Sequence, residues 1–182
     1  MEIDAIKRAK AGNVDDIGNI LLENMQSMYR VAFSILSTEE KAYDAISNTI
    51  VIVFEKISTL KNEEYFKTWL IRILINECYK VAKQNNKIIY LENCNKEKLS
   101  YTDTYTDFET RELVNNLDKE LREIVVLYYF EDFSVKQIAK IIQIPEGTVK
   151  SRLSRARKEL EKKLIVQETE KKENDERRNI NG

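Results

Sequence analysis

The stretch SVKQIAKIIQIPEGTVKSRLSRARKEL, Ser134–Leu160, decides how the chain is read. Ser134 and Gln137 have the spacing of a capping box, in which each side chain bonds the other's backbone amide. Phe133 and Ile138 stand at the hydrophobic-staple positions around it. Val135, Ile138, Ala139 and Ile142 then recur at i, i+3, i+4 and i+7, the spacing of one helix face. Gln143–Pro145 interrupts the run. Pro145 suits the edge of a new helix, because the amide it lacks would have no helical partner there. Helix, short turn, helix is the layout of a helix-turn-helix.

The second helix carries the chemistry. At 100° per residue, Val149, Leu153, Ala156, Leu160 and Leu164 fall on one face, which should pack on the preceding helices. Thr148, Ser151, Ser154, Arg155 and Lys158 fall opposite, while Lys150, Arg152 and Arg157 flank the apolar stripe. Five basic residues thus lie between Lys150 and Lys158 with no acid among them. A merely solvated helix face could also look like this. A DNA major groove, however, asks for these residue types: short side chains for close approach, Arg for guanine edges, and flanking cations for phosphates. Position on the second helix of a helix-turn-helix favours the groove. Glu146 runs against it, since it suits a helix N-terminus but repels a nearby phosphate.

Bulk composition narrows the classes. Net charge is −1, so any nucleic-acid surface must be local, and the charge is indeed segregated. Basic blocks at 65–88 and 147–164 enclose an acidic one at 89–133. Gly 4 and Pro 1 leave little punctuation for strands and turns, so an all-α fold is expected. His is absent and the cysteines are Cys78 and Cys94, which removes the commonest general base and any Cys/His zinc spacing. No catalytic residue, metal site, cofactor or small-molecule substrate is expected. The start, MEIDAIKRAK, is charged from its second residue and is not read as a signal peptide. The longest apolar run, Ile50–Phe54, is far too short to span a bilayer. A cytoplasmic protein is expected.

Outward from the opening stretch, the chain divides. Apolar residues recur at helical spacing from Ile3 to Leu36, with a break at Gly12–Asn13 that suggests two helices. Thr38 should cap a third, reaching about Ile57, apolar on most sides and therefore central. Tyr65–Lys83 forms a further helical segment in which Phe66, Trp69, Leu70 and Ile73 share a face. That spacing favours core packing for Trp69 over a stacking platform. Periodicity is lost over 84–106, read as a flexible linker because so long a structureless loop is foreign to one compact unit. The expected organisation is two small helical domains: 1–84, a linker at 85–106, and 107–164 with the helix-turn-helix near 134–158. A charged tail at 165–182 is read as a frayed helical extension or disorder.

Two blocks carry a family resemblance. LDKELREIVVLYYFEDFSVKQIAKIIQIPEGTVKSRLSRARKEL (Leu117–Leu160) resembles the promoter-reading C-terminal domain of bacterial sigma factors of the small, two-domain extracytoplasmic-function type. Upstream, AYDAISNTIVIVFEKISTL (Ala42–Leu60) is similar to that family's polymerase-binding helix. YFKTWLIRILINECYKVAK (Tyr65–Lys83) is similar to the adjoining segment that faces the −10 element. The resemblance implies a sigma factor that docks on core RNA polymerase and directs promoter-specific initiation, an alternative one serving a stress or cell-envelope response. It places −35 contacts on Lys150, Ser151, Ser154 and Arg155, within the wider basic face of Thr148, Arg152, Arg157 and Lys158. Some relatives carry a bulkier residue where this chain has Ser154. The −10 reader falls on Asn76, with Lys80, Lys83 and Lys87 as phosphate partners. Where the family's docking helix has an acid followed by Gln and an acid, this chain has Asp44, Ser47 and Asn48. Promoter DNA, core polymerase and a cognate anti-sigma factor, often membrane-bound in the family, are the implied partners.

A stand-alone helix-turn-helix regulator would carry a ligand pocket, receiver or dimer coiled coil in its N-terminal half, and no such pattern is visible there. An enzyme acting on nucleic acid would need a carboxylate cluster, a phosphate-cradling Gly loop or a His, and these patterns are missing too.

Overall fold

The structure, a computed structural model, describes residues 2–85 and 108–180. Nine α-helices make up the described residues, with no strand among them: α1 (Glu2–Lys10), α2 (Val14–Glu23), α3 (Met25–Leu36), α4 (Glu39–Lys56), α5 (Phe66–Asn85), α6 (Phe108–Asn115), α7 (Lys119–Val125), α8 (Val135–Ile142) and α9 (Glu146–Ile180). The all-α expectation holds. Helices α1–α5 pack as one unit, with α4 lying across α3 and α5, and α6–α9 pack as a second. Most of the linker expected at 85–106 lies outside the described residues; Asn85 itself ends α5.

The break at Gly12–Asn13 is real: Gly12 takes φ +98, and the Asn13 side chain caps α2 by accepting from the Asp16 amide. The segment from Ile3 to Leu36 nevertheless holds three helices, not two. Asn24 separates α2 from α3; its backbone amide turns back to the Leu21 and Leu22 carbonyls, and its side-chain amide donates to the Ile20 carbonyl at 2.7 Å. Thr38 occupies the N-cap of α4 in extended backbone, but its hydroxyl makes no cap bond and is buried without a partner. Helix α4 is also less central than its composition suggested. Ala42, Ala45, Ile46, Thr49 and Val53 are buried, whereas Tyr43, Val51 and Phe54 lie on the solvent side. Trp69 is partly buried against the core, its ring 6.2 Å from that of Phe66, as the helical spacing predicts.

In the second unit the capping box forms as expected. The Gln137 amide donates to Ser134 Oγ at 3.3 Å, and the Ser134 amide to Gln137 Oε1 at 2.9 Å. Phe133 and Ile138, the staple pair, are both buried. Helix α8 ends at Gln143, which takes the left-handed conformation at φ 58 and so turns the chain sharply toward α9. The turn after α7 was not foreseen. Val126–Phe130 widens into a π turn, with the Glu131 amide donating to the Val126 carbonyl five residues back. Helix α9 continues to Ile180, through the segment expected to fray.

The two units are in contact. Helix α5 packs on α8, α3 packs on α7, and the buried side chains form one continuous apolar cluster across both.

Candidate nucleic-acid interface

The orientation of α9 follows from its apolar stripe. Val149, Leu153 and Ala156 are essentially sealed against α7 and α8. Burying such side chains is worth about 1.5–3 kcal/mol for each of the larger ones. The stripe weakens beyond them: Leu160 is half-buried, and Leu164, expected to belong to it, is exposed. With that face fixed inward, Lys150, Ser151, Ser154, Arg155, Arg157 and Lys158 are exposed, and Thr148 and Arg152 are half-exposed.

Exposure does not make these side chains equivalent. Ser151 Oγ donates back to the Thr148 carbonyl at 2.9 Å, a local helix bond that competes with any external acceptor. Arg152 turns back to α7 and pairs with Glu120 at 2.5 Å. Arg157 Nε donates to the Tyr129 hydroxyl at 2.7 Å, and its guanidinium lies over the Tyr129 ring, 5.9 Å from the centroid. Arg152 and Arg157, which flank the stripe in the sequence, are therefore tied to the scaffold. Lys150, Ser154, Arg155 and Lys158 make up the outward ridge. Tyr129 is an addition that the sequence reading lacked. Its place beside Arg157 depends on the π turn, which no residue pattern announced.

A second polar surface lies on α5. Asn76, Lys80 and Lys83 are exposed and share one helical face. Lys80 also pairs with Glu77 at 2.6 Å, so its charge is partly spent within the helix. Arg72, one turn before Asn76, is exposed on the same face and extends it; the i, i+4 spacing would have found it. Lys87 lies outside the described residues. The buried flank of α5 holds Cys78, whose thiol is pushed up to about 12 by burial and by nearby Glu123, which leaves it protonated and chemically quiet.

On α4, Asp44, Ser47 and Asn48 are brought together on one exposed face. Val51 continues that face at 58% exposed, with Phe54 beside it, so the surface mixes polar and apolar groups. The three surfaces lie on three different helices: one outward basic ridge, one amide-and-lysine face, and one mixed face.

Comparison with known proteins supplies the framework for these surfaces. The family model of sigma-70 region 2 matches residues 20–88, and that of sigma-70 region 4 matches residues 108–160. The RNA polymerase sigma factor SigV of Bacillus subtilis is 30% identical over 140 residues, spanning 76% of this chain and 84% of SigV. SigW of the same organism, an ECF RNA polymerase sigma factor, is 27% identical over 87% of this chain and 94% of its own length. Among solved structures, the sigma factor RpoE of Bartonella quintana, in complex with the anti-sigma factor NepR, superposes with a TM-score of 0.67. It is 28% identical, over 84% of this chain and 99% of that one. CnrH, solved with the cytosolic domain of CnrY, shares the fold at a TM-score of 0.65 and 19% identity, over 91% of this chain and 97% of that one. Both helical units are matched, in order, and the match to SigV runs through most of both chains: the protein belongs to the extracytoplasmic-function sigma factors, the subunits with which bacterial RNA polymerase initiates transcription at alternative promoters.

Proposed function

We propose a division of labour among the three surfaces. Helix α9 reads the −35 element as duplex, with Arg155 and Lys150 at base edges and Ser151 and Ser154 allowing close approach. Thr148 and Lys158 hold the phosphates beside them, and Arg152 and Arg157 join only by giving up Glu120 and Tyr129. Helix α5 takes the −10 element as an opened strand, with Asn76 bonding an unstacked base and Lys80 and Lys83 on its backbone. Helix α4 docks on core polymerase through Asp44, Ser47 and Asn48, with Val51 adding apolar contact to a face that has fewer charges than the family pattern. The protein carries out no chemistry itself; the polymerase supplies the catalytic centre. An anti-sigma factor, the kind of partner with which the Bartonella relative was solved, is the expected antagonist. A cytoplasmic location belongs to the same reading, and no helix among the described residues is long and apolar enough to cross a membrane.

The observation that carries this reading is the fixed orientation of α9: a sealed Val149–Leu153–Ala156 stripe that leaves Lys150, Ser154 and Arg155 outward. Runoff transcription with purified core polymerase on a panel of promoter fragments tests it. Defined transcripts should appear only when core and this protein are both present. A protein that neither associates with core nor directs initiation would defeat the proposal.

A further inference from the structure

The chain has four glycines, and the three among the described residues differ in what asks for them. Gly12 takes φ +98, a left-handed backbone that favours glycine. Gly18 and Gly147 have no such need. Both sit in ordinary helix, in α2 and α9, and a Cβ added to either would meet nothing within 4 Å. Glycine is the weakest helix former after proline, because it gives up the most backbone freedom on folding. No backbone angle and no close neighbour within the protein offsets that cost at either position. What separates the two is what they face.

Gly147 is exposed at the start of α9. At 100° per residue, Ser151, Ser154 and Lys158 all lie within about 40° of its bearing. With Val149, Leu153 and Ala156 fixed inward, Gly147 heads the central line of the outward ridge. Lys150 and Arg155 stand on either side of that line, at about 60° and 80° from Gly147. Glu146 lies about 100° away, outside the Lys150 flank. Height along the line falls toward the start of the helix. Ser154 and Ser151 rise by one hydroxymethyl group, Ser151 is drawn back to the Thr148 carbonyl at 2.9 Å, and Gly147 has no side chain at all. The ridge is therefore a trough walled by two long cations, with bare backbone at its N-terminal end. Gly18 is only partly exposed, on a helix that carries none of the three surfaces.

We propose that Gly147 is where α9 comes closest to the −35 duplex. A base-pair edge on the floor of the major groove enters the trough and meets the backbone of the first turn, with Lys150 and Arg155 straddling it. The inference rests on the assignment of α9 to the −35 element, and adds the residue that sets how deeply the helix inserts. The N-terminal residues of a recognition helix are the ones that reach base edges. A side chain at position 147 would hold the first turn off the groove floor. Lys150 and Arg155 would then lose base edges before phosphates, since hydrogen bonds fail over short distances and charge attraction does not. Gly147 thus governs sequence preference more than overall affinity. The same substitution favours the helix, so fold and reading pull in opposite directions.

The test reads both effects in the same variants. Full-length Gly147→Ala, Gly147→Leu and, as a control, Gly18→Ala are each reconstituted with core polymerase. Fluorescence anisotropy measures binding to promoter fragments from the runoff panel, with the −35 element intact or scrambled and the −10 element unchanged. Wild type should prefer the intact fragment. Gly147→Ala should lose about fivefold of that preference and Gly147→Leu up to about a hundredfold, the range that base-edge contacts span. Gly18→Ala should keep all of it. Melting of the free chain should show Gly147→Ala and Gly18→Ala both stabilised, by about 1–3 °C. Unchanged preference in both Gly147 variants, or an equal loss on intact and scrambled fragments, would overturn the inference. So would a lowered melting midpoint in Gly147→Ala, because the glycine would then serve the fold. A wild type with no preference of its own would strike at the proposed function, and would take this inference with it.

Discussion

The guanidinium of Arg152 is bound to Glu120 at 2.5 Å, so a basic residue of the recognition helix is neutralised by an acid on the helix beneath it. Glu120 is 70% exposed, and an ion pair in such a position contributes about 0–1 kcal/mol to stability. Its larger effect is on DNA. Glu120→Ala should leave the melting midpoint nearly unchanged and release Arg152 toward phosphate. Duplex binding should strengthen by a similar amount on every sequence, with a salt slope steeper by about one. Fluorescence anisotropy against matched and scrambled −35 duplexes over a salt series measures both. A gain confined to the matched duplex would place Arg152 at a base edge instead.

Arg155 and Asn76 separate the two reading surfaces. Arg155→Ala should lose about 1–3 kcal/mol of discrimination between matched and mismatched −35 duplexes while core binding stays unchanged. An equal loss on all duplexes would make it a phosphate contact. Asn76→Ala should impair initiation from opened −10 templates and leave binding to an isolated −35 duplex intact.

Glu123 predicts a pH dependence. Burial, before any other influence, raises its carboxyl above the ordinary carboxylate range, while the Tyr79 hydroxyl, Lys119 and Arg152 pull it back in part. Below the unfolded-state value, about 4.3 for a glutamate, both states hold the proton and nothing is lost. As pH rises, the unfolded chain releases it first, and folding stability falls until pH has passed the raised folded value. Glu123→Gln keeps an acceptor for Tyr79 and removes the titration. Its urea midpoint should exceed that of wild type at about pH 8, with the gap closing toward about pH 4.

Gln143 holds a left-handed backbone at φ 58 between α8 and α9. A side chain in that region costs about 1–2 kcal/mol that glycine does not incur. Glycine also gives up more freedom on folding, which offsets part of the gain. Gln143→Gly should therefore stabilise the protein, by up to about 1 kcal/mol in chemical denaturation, with duplex binding unchanged. Destabilisation would mean that the Gln143 side chain supports the turn.

What the sequence made legible follows from the range of the forces involved. The capping box, the apolar stripe of α9 and the outward ridge are short-range patterns, each set within a few turns by residues that the eye can align. Asn24 was missed because a helix break without Gly or Pro carries no local signature; it relies on an amide that folds back on its own helix. Thr38 matched a cap by residue type, yet its hydroxyl found no amide to accept from. Glu131 was illegible in a different way. Beside Asp132 it reads as one more surface acid, and the residues that bury it, Ser27 and Arg30, stand about a hundred positions earlier. Contacts of that separation are set by how the two units dock, which no periodicity records.

The π turn at Val126–Phe130 gives that docking an unexpected dependence on length. A π turn is an α-helix that has accommodated one additional residue. The wide turn absorbs that residue where it stands, so α7 before it and Glu131 after it keep the orientation of a regular helix. An uncharged residue inserted within α7, with the slack already taken up, would instead swing everything after it by about 100°. Glu131 would then turn away from Arg30 and Lys67, and Tyr129 away from Arg157. The contact between the two halves and the support beneath the recognition helix are thus set by the same single-residue register. A one-codon insertion, with no change to any charged side chain, would reset both.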